Sequence, residues 1–396
     1  MDALTANHPG FAEQGLAKIR WAERHLRLLN RLKEDFAASR PFSGLTIGIC
    51  LHIEPKTAVL CKVLQAGEAD LVLTGSPGTT QDDVAAALRL SNGLSVFGQH
   101  DDQTSKHEEN LRQVLQRKPH LLLDNGADLV MADLADPQSR VIGGTEETTS
   151  GANRLRDLAP GTLKFPVIVI NDSPLKLIME NEHGVGPTIV EGFMRATNLL
   201  VAARSYVVFG YGSVGRGIAR CLRALGGQVM VVEPDRIRAL EAALNGMRVC
   251  DAEQAFRQGA VFISATGRPG IIRSEHFALL PDDAILINAG HFSWEIDLDG
   301  LRSRAISTDR ASELIEVFTM PGGKRIVLLA RGDMLNLAGG GGNPVETMDL
   351  GLALQAQSLR YIAERHKTLP HEALPVPREI NLEVSGAMLD VLTTGS

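Results

Sequence analysis

The sequence predicts an α/β protein of two domains, and three observations support this fold class. The chain has 396 residues, which is too long for one ordinary hydrophobic core. Short apolar runs alternate with stretches at helical spacing, a pattern typical of mainly parallel sheets covered by helices. The alternation pauses at a helical stretch and then starts again. We therefore expect a domain at 1–186, a second at 187–342, and a C-terminal segment, 343–396, that returns to the first domain.

The first domain is predicted from one helical pattern and five apolar runs. Residues 11–39 alternate charged and apolar positions at helical spacing up to Arg40 and Pro41. The apolar runs that follow are short enough to be strands of a parallel sheet. These predicted strands are 45–51, 69–75, 94–98, 120–124 and 166–172.

The second domain is predicted in the same way. A helix is expected over 188–202, and the apolar runs after it predict strands at 205–210, 228–235, 260–267 and 284–290. Residues 316–330 are typical of a hairpin, because PGG at 321–323 is a turn signal. After the glycines of AGGGG at 338–342, a long helical pattern leads into a short tail.

The composition excludes several classes of protein. With 44% hydrophobic and 22% charged residues the chain is typical of a globular protein, and a net charge of −7 argues against a nucleic-acid surface. We find no apolar run of the roughly 18–20 residues that span a bilayer, and no signal-peptide pattern. The four cysteines show no CxxC spacing, so neither a disulfide scaffold nor a metal site is expected. We expect a cytoplasmic protein without membrane or nucleic-acid partners.

The stretch VVFGYGSVGRG predicts a dinucleotide-binding turn. Gly210, Gly212 and Gly215 follow a predicted strand and open a helix, where glycines permit a tight turn and close approach of a pyrophosphate. The next strand reaches Glu233 about 20 residues further on, where a carboxylate can bind ribose hydroxyls. Glu233 favours NAD over NADP, although Arg238 nearby weakens that preference. The predicted fold class is therefore α/β, with two Rossmann-like three-layer domains and a cleft between them.

Four further stretches place polar residues at the carboxyl ends of predicted strands, where open α/β sheets bind ligands. They are CLHIEPKTAVL with His52, GGTEETTSG (143–151), which we expect to be a loop, INDSPLK with Asn171 and Lys176, and NAGHFSWEID with His291. Each also has an ordinary explanation: an exposed histidine, a glutamate that caps a helix, or a solvated lysine. Their occurrence at four strand ends, together with a cofactor loop, favours a catalytic site.

The run from about Gly44 to Val384 resembles the S-adenosylhomocysteine hydrolase family. The matching motifs, in chain order, are CLH…TAVL, TTQDDVAAAL, EETTSG, INDS…K, EGFMRATN, GYGSVGRG, AGHFSWEID, RIVLLARGDMLNL and NPVETMD. The resemblance implies tightly bound NAD in its oxidised form. It also implies a redox-neutral reaction: oxidation of the ribose 3′-hydroxyl, loss of the 4′-hydrogen, departure of the 5′ substituent and renewed reduction of the 3′-ketone. A homo-oligomer, a dimer or a tetramer, is expected.

The resemblance also implies roles for individual residues. Lys176 corresponds to the base for the 3′-hydroxyl, His52 to the histidine that transfers a proton near C4′ and C5′, and Glu147 to a carboxylate that binds ribose. The implied catalytic residues are His52, Asp124, Asn125, Glu147, Asn171, Lys176 and His291. The implied substrate contacts are Glu54, Lys56, Thr57, Glu180 and Asn343. With the glycine motif included, the expected cofactor contacts are Thr148, Thr149, Ser150, Gly210, Gly212, Ser213, Val214, Gly215, Glu233, Arg238, Ala289, Gly290 and Asn336.

Several positions depart from the family pattern, mostly where the substrate is expected. Glu54 and Lys56 stand where the family usually has threonine and glutamate facing adenine, and Asn125 stands where it has the second of two aspartates. Glu180 replaces an aspartate, and Asn343 replaces a histidine. If Lys56 faces the base, the change from an acceptor to a donor favours an oxo base or a differently posed purine. If Lys56 instead pairs with Glu54, the two reshape the wall of the pocket.

We therefore expect an NAD-dependent enzyme that acts on a nucleoside by 3′-oxidation and 4′,5′-elimination of the 5′ substituent, a nucleoside dehydratase or lyase. Asn125 cannot titrate, which weakens the proton relay available for adding water. Two alternatives stay open. One is hydrolysis of S-adenosylhomocysteine or S-inosylhomocysteine with a remodelled base pocket. The other is a non-catalytic regulatory relative that binds NAD.

Overall fold

The structure, a computed structural model, describes residues 9–90, 94–290 and 292–394. The chain forms two compact units, Met1–Lys176 with Val345–Ser396 and Leu177–Pro344. The second unit is continuous in sequence, and the first is made of two segments that flank it. The sequence analysis places these boundaries at residues 186 and 342 instead.

Strands and helices alternate along most of the described chain. The strands are β1 (Thr46–Leu51), β2 (Asp70–Gly75), β3 (Leu94–Val96), β4 (Leu121–Asp124), β5 (Gly143–Glu146), β6 (Val167–Val169), β7 (Ser205–Phe209), β8 (Gln228–Val232), β9 (Arg248–Val249), β10 (Val261–Ser264), β11 (Ala284–Asn288), β12 (Ser307–Ser312), β13 (Ile315–Thr319), β14 (Arg325–Leu329) and β15 (Ala373–Pro375). The helices are α1 (Pro9–His25), α2 (Arg27–Ser39), α3 (Pro55–Ala66), α4 (Asp82–Arg89), α5 (Thr104–Gln116), α6 (Asp128–Asp133), α7 (Thr149–Arg156), α8 (Pro174–Lys176), α9 (Gly186–Thr197), α10 (Ser213–Ala224), α11 (Arg236–Leu244), α12 (Ala252–Gln258), α13 (Leu298–Arg304), α14 (Leu335–Ala338), α15 (Val345–Arg365) and α16 (Arg378–Thr394). A 3₁₀ helix (Ile170–Asp172) precedes α8, and a π-helix (Leu177–Val185) follows it. None of the described helices is both long enough and apolar enough to span a membrane.

In the first unit, seven described strands form a parallel sheet in the order β15-β6-β5-β4-β1-β2-β3. The strand order reverses between β1 and β4, which are neighbours in space although β2 and β3 separate them in sequence. Cys50 pairs with Asp124, and Asp124 pairs with Glu146. The residues after β1, β4 and β5 therefore lie together at the carboxyl end of the sheet. Open α/β sheets bind ligands at this end, at the point where the strand order reverses.

In the second unit, the described strands form an eight-stranded sheet in the order β12-β13-β14-β11-β10-β7-β8-β9. The sheet is parallel from β14 to β9, whereas β12, β13 and β14 pair antiparallel. Val208 belongs to one buried apolar cluster and its neighbour Val207 to another, because successive strand residues point to opposite faces. Apolar side chains therefore cover both faces of this sheet. The α/β fold class with two sheet domains is confirmed, and so is the hairpin, formed by β13 and β14.

The loop predicted for residues 143–151 is wrong, because this stretch forms β5 and the start of α7. β5 lies between β4 and β6, where there is little room for side chains. A Cβ on Gly144 would lie 2.9 Å from the carbonyl oxygen of Leu122, and one on Gly143 would lie 2.4 Å from Cγ2 of Ile362. Gly143 and Gly144 are therefore explained by close packing within a sheet.

The helical spacing at residues 11–39 is confirmed, but this stretch forms two helices, α1 and α2, which meet at Leu26. The carboxylate of Asp349, on α15, accepts the backbone N–H groups of Leu28 at 2.7 Å and Leu29 at 2.9 Å. These are N–H groups of the first turn of α2, which have no partner within the helix. A distant carboxylate thus creates a helix start that the local spacing does not predict.

The prediction of a short tail after the long C-terminal helix is wrong. Residues 373–375 form β15, which pairs in parallel with β6, and α16 follows it. The run AGGGG is followed by α15, as the helical pattern predicts. A three-residue strand at a sheet edge carries too few residues to show a period, so its pairing depends on the neighbouring strand.

Candidate active site

His52 follows β1 and is held by two threonine side chains. Its Nδ1 lies 2.7 Å from Oγ1 of Thr79, and Oγ1 of Thr57 donates a hydrogen bond of 2.7 Å to its carbonyl oxygen. α3 begins at Pro55, where the missing N–H of proline costs nothing in the first turn of a helix. The turn between β1 and α3 therefore presents a histidine whose backbone and ring are both hydrogen-bonded.

Glu54 and Lys56, in the same turn, form a buried ion pair. Nζ of Lys56 lies 2.7 Å from Oε2 of Glu54, and the two side chains are 4% and 6% exposed respectively. Pairing is thus one of the two arrangements that the sequence left open. Because burying two charges costs several kcal/mol of hydration for each ion, such a pair is weak evidence for stability. A role in ligand recognition is the alternative explanation for its presence.

Asn125 and Glu147 meet across the ends of β4 and β5. Nδ2 of Asn125 donates a hydrogen bond of 2.9 Å to Oε2 of Glu147, and both side chains are buried. The backbone N–H of Glu147 donates to the carbonyl oxygen of Asp124 over 3.1 Å. Since an amide does not titrate, this pair offers one titratable carboxyl group, oriented by a neutral donor.

Asp124 supports the turn after β4. Its Oδ1 accepts the N–H of Asn125 at 3.0 Å, and its Oδ2 accepts the N–H of Val130 at 2.9 Å. Burial, followed by the negative charge of Glu146, raises the pKa of Asp124 well above its usual value. Both oxygens of this carboxyl group therefore hold backbone, and its visible contribution is to shape the turn that carries Asn125.

Glu146 has a central place in this site, and the sequence analysis did not single it out. Its Oε1 accepts hydrogen bonds from the N–H of Gly126 at 3.0 Å and from the N–H and Oγ1 of Thr148 at 2.8 and 2.7 Å. Its Oε2 accepts the N–H of Ala127 at 2.8 Å. One fully buried carboxyl group thus joins the turn after β4 to the turn after β5. Burial raises the pKa of Glu146 to about 7. The sequence feature that could have identified Glu146 is its position beside Glu147. Adjacent strand residues point to opposite sides, so Glu146 faces away from the side that Glu147 faces.

The three hydroxyl residues Thr148, Thr149 and Ser150 open α7. Thr148 is its N-cap: Oγ1 accepts the N–H of Gly151 at 3.1 Å and lies 3.1 Å from Oγ of Ser150. Ser150 is buried, whereas Thr149 is exposed. The structure therefore brings Thr148 and Ser150 together and leaves the side chain of Thr149 at the surface of its unit.

Asn171 and Lys176 follow β6, the neighbour of β5 in the sheet. Both are buried, with exposures of 7% and 5%. Between them, Oγ of Ser173 donates a hydrogen bond of 2.6 Å to Oδ1 of Asn381 on α16. Buried lysines are rare because the ammonium group loses its hydration. The strand order β6-β5-β4-β1 therefore places the site residues predicted in the first domain side by side at the carboxyl ends of these strands.

The glycine motif of the second unit has the geometry of a dinucleotide-binding turn. Gly210 has a φ of 92°, a conformation that favours glycine. A Cβ on Gly215 would lie 2.0 Å from the carbonyl oxygen of Gly210, so glycine is needed for α10 to start this close to β7. At Gly212, the N-cap, the nearest atom to an added Cβ is 3.9 Å away. Packing does not demand glycine there, and the open surface suits a pyrophosphate at the start of α10, beside Ser213 and Val214.

Glu233, at the end of β8, is placed to bind ribose hydroxyls. Its Oε2 accepts the N–H of Tyr211 at 2.6 Å, and its Oε1 accepts the N–H of Asp235 at 2.9 Å. Each oxygen keeps a further lone pair for a hydroxyl group. Nη1 of Arg238 lies 3.9 Å from the position of a Cβ on Gly212, which places the guanidinium beside the glycine turn. These residues fit NAD.

Ala289 and Gly290 follow β11, and Gly290 lies against a second buried glutamate, Glu295. A Cβ on Gly290 would lie 2.0 Å from Oε1 of Glu295. Glu295 accepts hydrogen bonds from the N–H of Thr266 at 3.0 Å, its Oγ1 at 2.7 Å and the N–H of Gly267 at 2.9 Å, and burial raises its pKa. The sequence analysis missed Glu295 because its partners follow β10, more than one element away. His291 lies outside the described residues.

Asn336 and Asn343, predicted for different roles, are hydrogen-bonded to each other. Nδ2 of Asn336 lies 3.2 Å from Oδ1 of Asn343 and 3.3 Å from Oγ1 of Thr188 on α9. Glu180 is buried in the π-helix. In the same segment, Glu182 forms ion pairs with Arg216 and Arg220 of α10. The π-helix is therefore tied to the helix that follows the glycine turn.

Comparisons with known proteins match most of the chain to one family. A family model described as "S-adenosyl-L-homocysteine hydrolase" matches residues 6–138, and one described as "S-adenosyl-L-homocysteine hydrolase, NAD binding domain" matches residues 181–342. The S-inosyl-L-homocysteine hydrolase of Methanopyrus kandleri is 42% identical over 388 residues, which cover 96% of this chain and 91% of the relative. The adenosylhomocysteinase of Archaeoglobus fulgidus is 42% identical over 392 residues, 96% of each chain.

Similarity to solved structures is more distant. One dipicolinate synthase chain, from Bacillus halodurans, matches with a TM-score of 0.47 and 16% identity, over 82% of this chain and 99% of that chain. That similarity is too low to bear on function. The family resemblance predicted from the sequence motifs is confirmed by the family models and the relatives. The chain belongs to the S-adenosyl-L-homocysteine hydrolase family of NAD-dependent enzymes, and NAD is its cofactor.

Proposed function

We propose that this chain is a nucleoside 4′,5′-dehydratase: an NAD-dependent enzyme that eliminates water from a nucleoside with a free 5′-hydroxyl. The product would be a 4′,5′-unsaturated nucleoside with its 3′-hydroxyl restored. The carbon skeleton and the overall oxidation level are unchanged apart from the loss of one water. Such a reaction uses the oxidation and elimination half of the family chemistry and omits the addition of water.

NAD, when bound, supplies reversible acceptance of a hydride from C3′, and the resulting ketone acidifies the 4′-hydrogen. In this proposal Lys176 takes the proton of the 3′-hydroxyl, and Asn171 orients it. His52 transfers a proton at C4′ and C5′ as the C4′–H and C5′–O bonds break and a double bond forms. The 5′-oxygen leaves as water. Glu147 binds the ribose hydroxyls, and Lys176 gives its proton back to the 3′-oxygen when the ketone is reduced again.

The observation that carries the proposal is the hydrogen bond of 2.9 Å from Nδ2 of Asn125 to Oε2 of Glu147. At this position the family resemblance implies a second aspartate with an acid/base role. An amide can hold Glu147 in place and bind a hydroxyl group, but it cannot accept a proton from an attacking water. The pair therefore keeps a binding function and lacks one proton acceptor that hydrolysis would use.

A second candidate is hydrolysis of an S-nucleosylhomocysteine. It is supported by the relatives named above, one of which is called an S-inosyl-L-homocysteine hydrolase and the other an adenosylhomocysteinase. The buried pair of Lys56 and Glu54 bears on the base, because an ammonium group can donate to the carbonyl oxygen of an oxo purine. In this case homocysteine would leave from C5′, and water would add to the double bond.

Mass spectrometry of reaction products decides between the two candidates. NAD-loaded protein is incubated separately with adenosine, inosine, S-adenosylhomocysteine and S-inosylhomocysteine. The dehydratase proposal expects a product lighter by one water from a nucleoside and little free homocysteine thiol from the thioethers. Robust thiol release with no dehydrated nucleoside contradicts it and supports hydrolysis. Absence of transient NADH absorbance with every compound would leave the non-catalytic alternative.

The role of Lys176 is tested in the same assay. We expect Lys176→Ala to abolish NADH formation on mixing with substrate, because the 3′-hydroxyl then has no base. Lys164→Ala is the matched control, since Lys164 is an exposed lysine of the same unit. Undiminished NADH formation in Lys176→Ala, with the control also active, would remove Lys176 from this role.

A further inference from the structure

Thr79 has a hydroxyl group whose hydrogen is already used. Its Oγ1 donates a hydrogen bond of 3.1 Å to the carbonyl oxygen of Ser76. The same oxygen lies 2.7 Å from Nδ1 of His52. A hydroxyl group has one hydrogen and two lone pairs, so Oγ1 of Thr79 is the acceptor in its contact with the ring. With its hydrogen on Ser76, Oγ1 of Thr79 can only accept from the ring, and this arrangement requires a proton on Nδ1 of His52.

The turn after β2 holds this arrangement in place. The carbonyl oxygen of Ser76 also accepts a hydrogen bond of 3.1 Å from Oγ1 of Thr80, which is 2% exposed. A Cβ on Gly75 would lie 2.2 Å from Oγ1 of Thr80, so the turn is closely packed around this hydroxyl. The acceptor for the Thr79 hydroxyl is therefore a backbone carbonyl group in a closely packed turn.

We propose that Thr79 is a positioning residue that holds the His52 ring with a proton on Nδ1 and so reserves Nε2 for proton transfer in the reaction. This inference rests on the proposed function, in which His52 moves a proton at C4′ and C5′. A neutral imidazole has one N–H, and the hydrogen bond made by one nitrogen decides which nitrogen can act as a base.

The contact with Thr79 serves both protonation states of the ring. In the neutral ring Nδ1 is a donor, and in the protonated ring both nitrogens are donors. The hydrogen bond from Nδ1 to Oγ1 of Thr79 therefore persists while a proton is taken up and released at Nε2. The ring need not flip or rotate between the two half steps, which keeps Nε2 aimed at the same point.

Nitrogen-15 NMR tests the tautomer directly. The chain has 11 histidines, so the signals of His52 are identified by their absence from the spectrum of His52→Asn. In full-length, NAD-loaded protein we expect the neutral ring of His52 to be protonated at Nδ1. A neutral ring protonated at Nε2 overturns the inference, whatever reaction the enzyme catalyses.

Kinetics of Thr79 variants test the consequence. Thr79→Val removes the acceptor at nearly constant volume, and we expect kcat for the elimination to fall roughly tenfold or more while KM changes by less than about twofold. Thr79→Ser should restore most of the activity because it restores the acceptor. Thr368→Val, a change of an exposed threonine, is the control.

The possible outcomes separate this inference from the proposed function. If Thr79→Val keeps the Nδ1 tautomer and the full kcat, or if Thr79→Ser is as slow as Thr79→Val, Thr79 does not position the ring through its hydroxyl. If Thr79→Val does not fold, the wild-type spectrum and Thr79→Ser still decide the question. If no nucleoside reacts at all, the proposed function fails, and the spectrum alone tests the tautomer.

Discussion

Replacing Glu146 removes the carboxylate that joins the turns after β4 and β5, and the loss should depend on what replaces it. Oε1 of Glu146 accepts three hydrogen bonds, from Gly126 and Thr148, and Oε2 accepts one from Ala127. In Glu146→Gln the amide oxygen can replace Oε1, but the amide nitrogen then faces the N–H of Ala127. In Glu146→Ala all these donors lose their acceptor.

The expected magnitudes follow from these contacts. A buried donor that loses its partner costs about 1–3 kcal/mol, so Glu146→Gln should lower the free energy of unfolding by that amount. At the lower end of that range, about 1 kcal/mol for each lost hydrogen bond, Glu146→Ala should lower it by at least roughly 4 kcal/mol. The measurement is made at about pH 5.5, roughly 1.5 units below the pKa of about 7 for Glu146, so that ionisation of the buried carboxyl group does not reduce the stability of the wild type.

Urea unfolding and hydrogen exchange provide the assay. Glu191→Gln is the matched control, because Glu191 is an exposed helical glutamate whose replacement should change stability by less than about 0.5 kcal/mol. Amide exchange in peptides covering 124–130 and 146–152 should rise in both Glu146 variants and stay unchanged in the control. The reasoning is refuted if Glu146→Ala stays within about 1 kcal/mol of the wild type or if these peptides keep their protection.

Two further predictions concern the cofactor turn and the start of α2. Gly212→Ala should leave the second unit folded, because an added Cβ meets no atom closer than 3.9 Å. It should weaken NAD binding, measured by calorimetry, at least about tenfold, or about 1.4 kcal/mol. Gly386→Ala, also in open space, is the control, and unchanged affinity of Gly212→Ala would contradict the assignment. Burial raises the pKa of Asp349 from 3.8 to about 6, so folding takes up a proton between these two pH values. The stability of the wild type relative to Asp349→Asn should therefore be greatest below a pH of 3.8 and should fall by roughly 3 kcal/mol as pH rises to about 7. Urea unfolding at several pH values measures this difference, and a difference that is constant with pH would show that Asp349 titrates normally in the folded protein.

The sequence predicted those features that depend on a few consecutive residues. The glycine turn is one, since the φ of 92° at Gly210 and the close approach of Gly215 to it are local requirements. The hairpin at 316–330 is another, because its turn lies within it. His52 and Lys176 were found as polar residues after apolar runs, and their shared edge followed from the rule that parallel strands end together.

Only the tertiary structure decided which polar groups are partners. Asp349 starts α2 although it is more than 300 residues from Leu28 in sequence, and Glu146 joins the turns after β4 and β5 through backbone groups of both. Asn125 meets Glu147 because β4 and β5 are neighbours in the sheet. Local sequence sets backbone preferences and burial patterns, but a buried carboxylate is satisfied by whichever donors the strand order brings within about 3 Å. The chain itself therefore determined the fold class, the family and the cofactor turn, whereas the hydrogen bonds that orient the candidate catalytic groups were determined by the packing of the sheet.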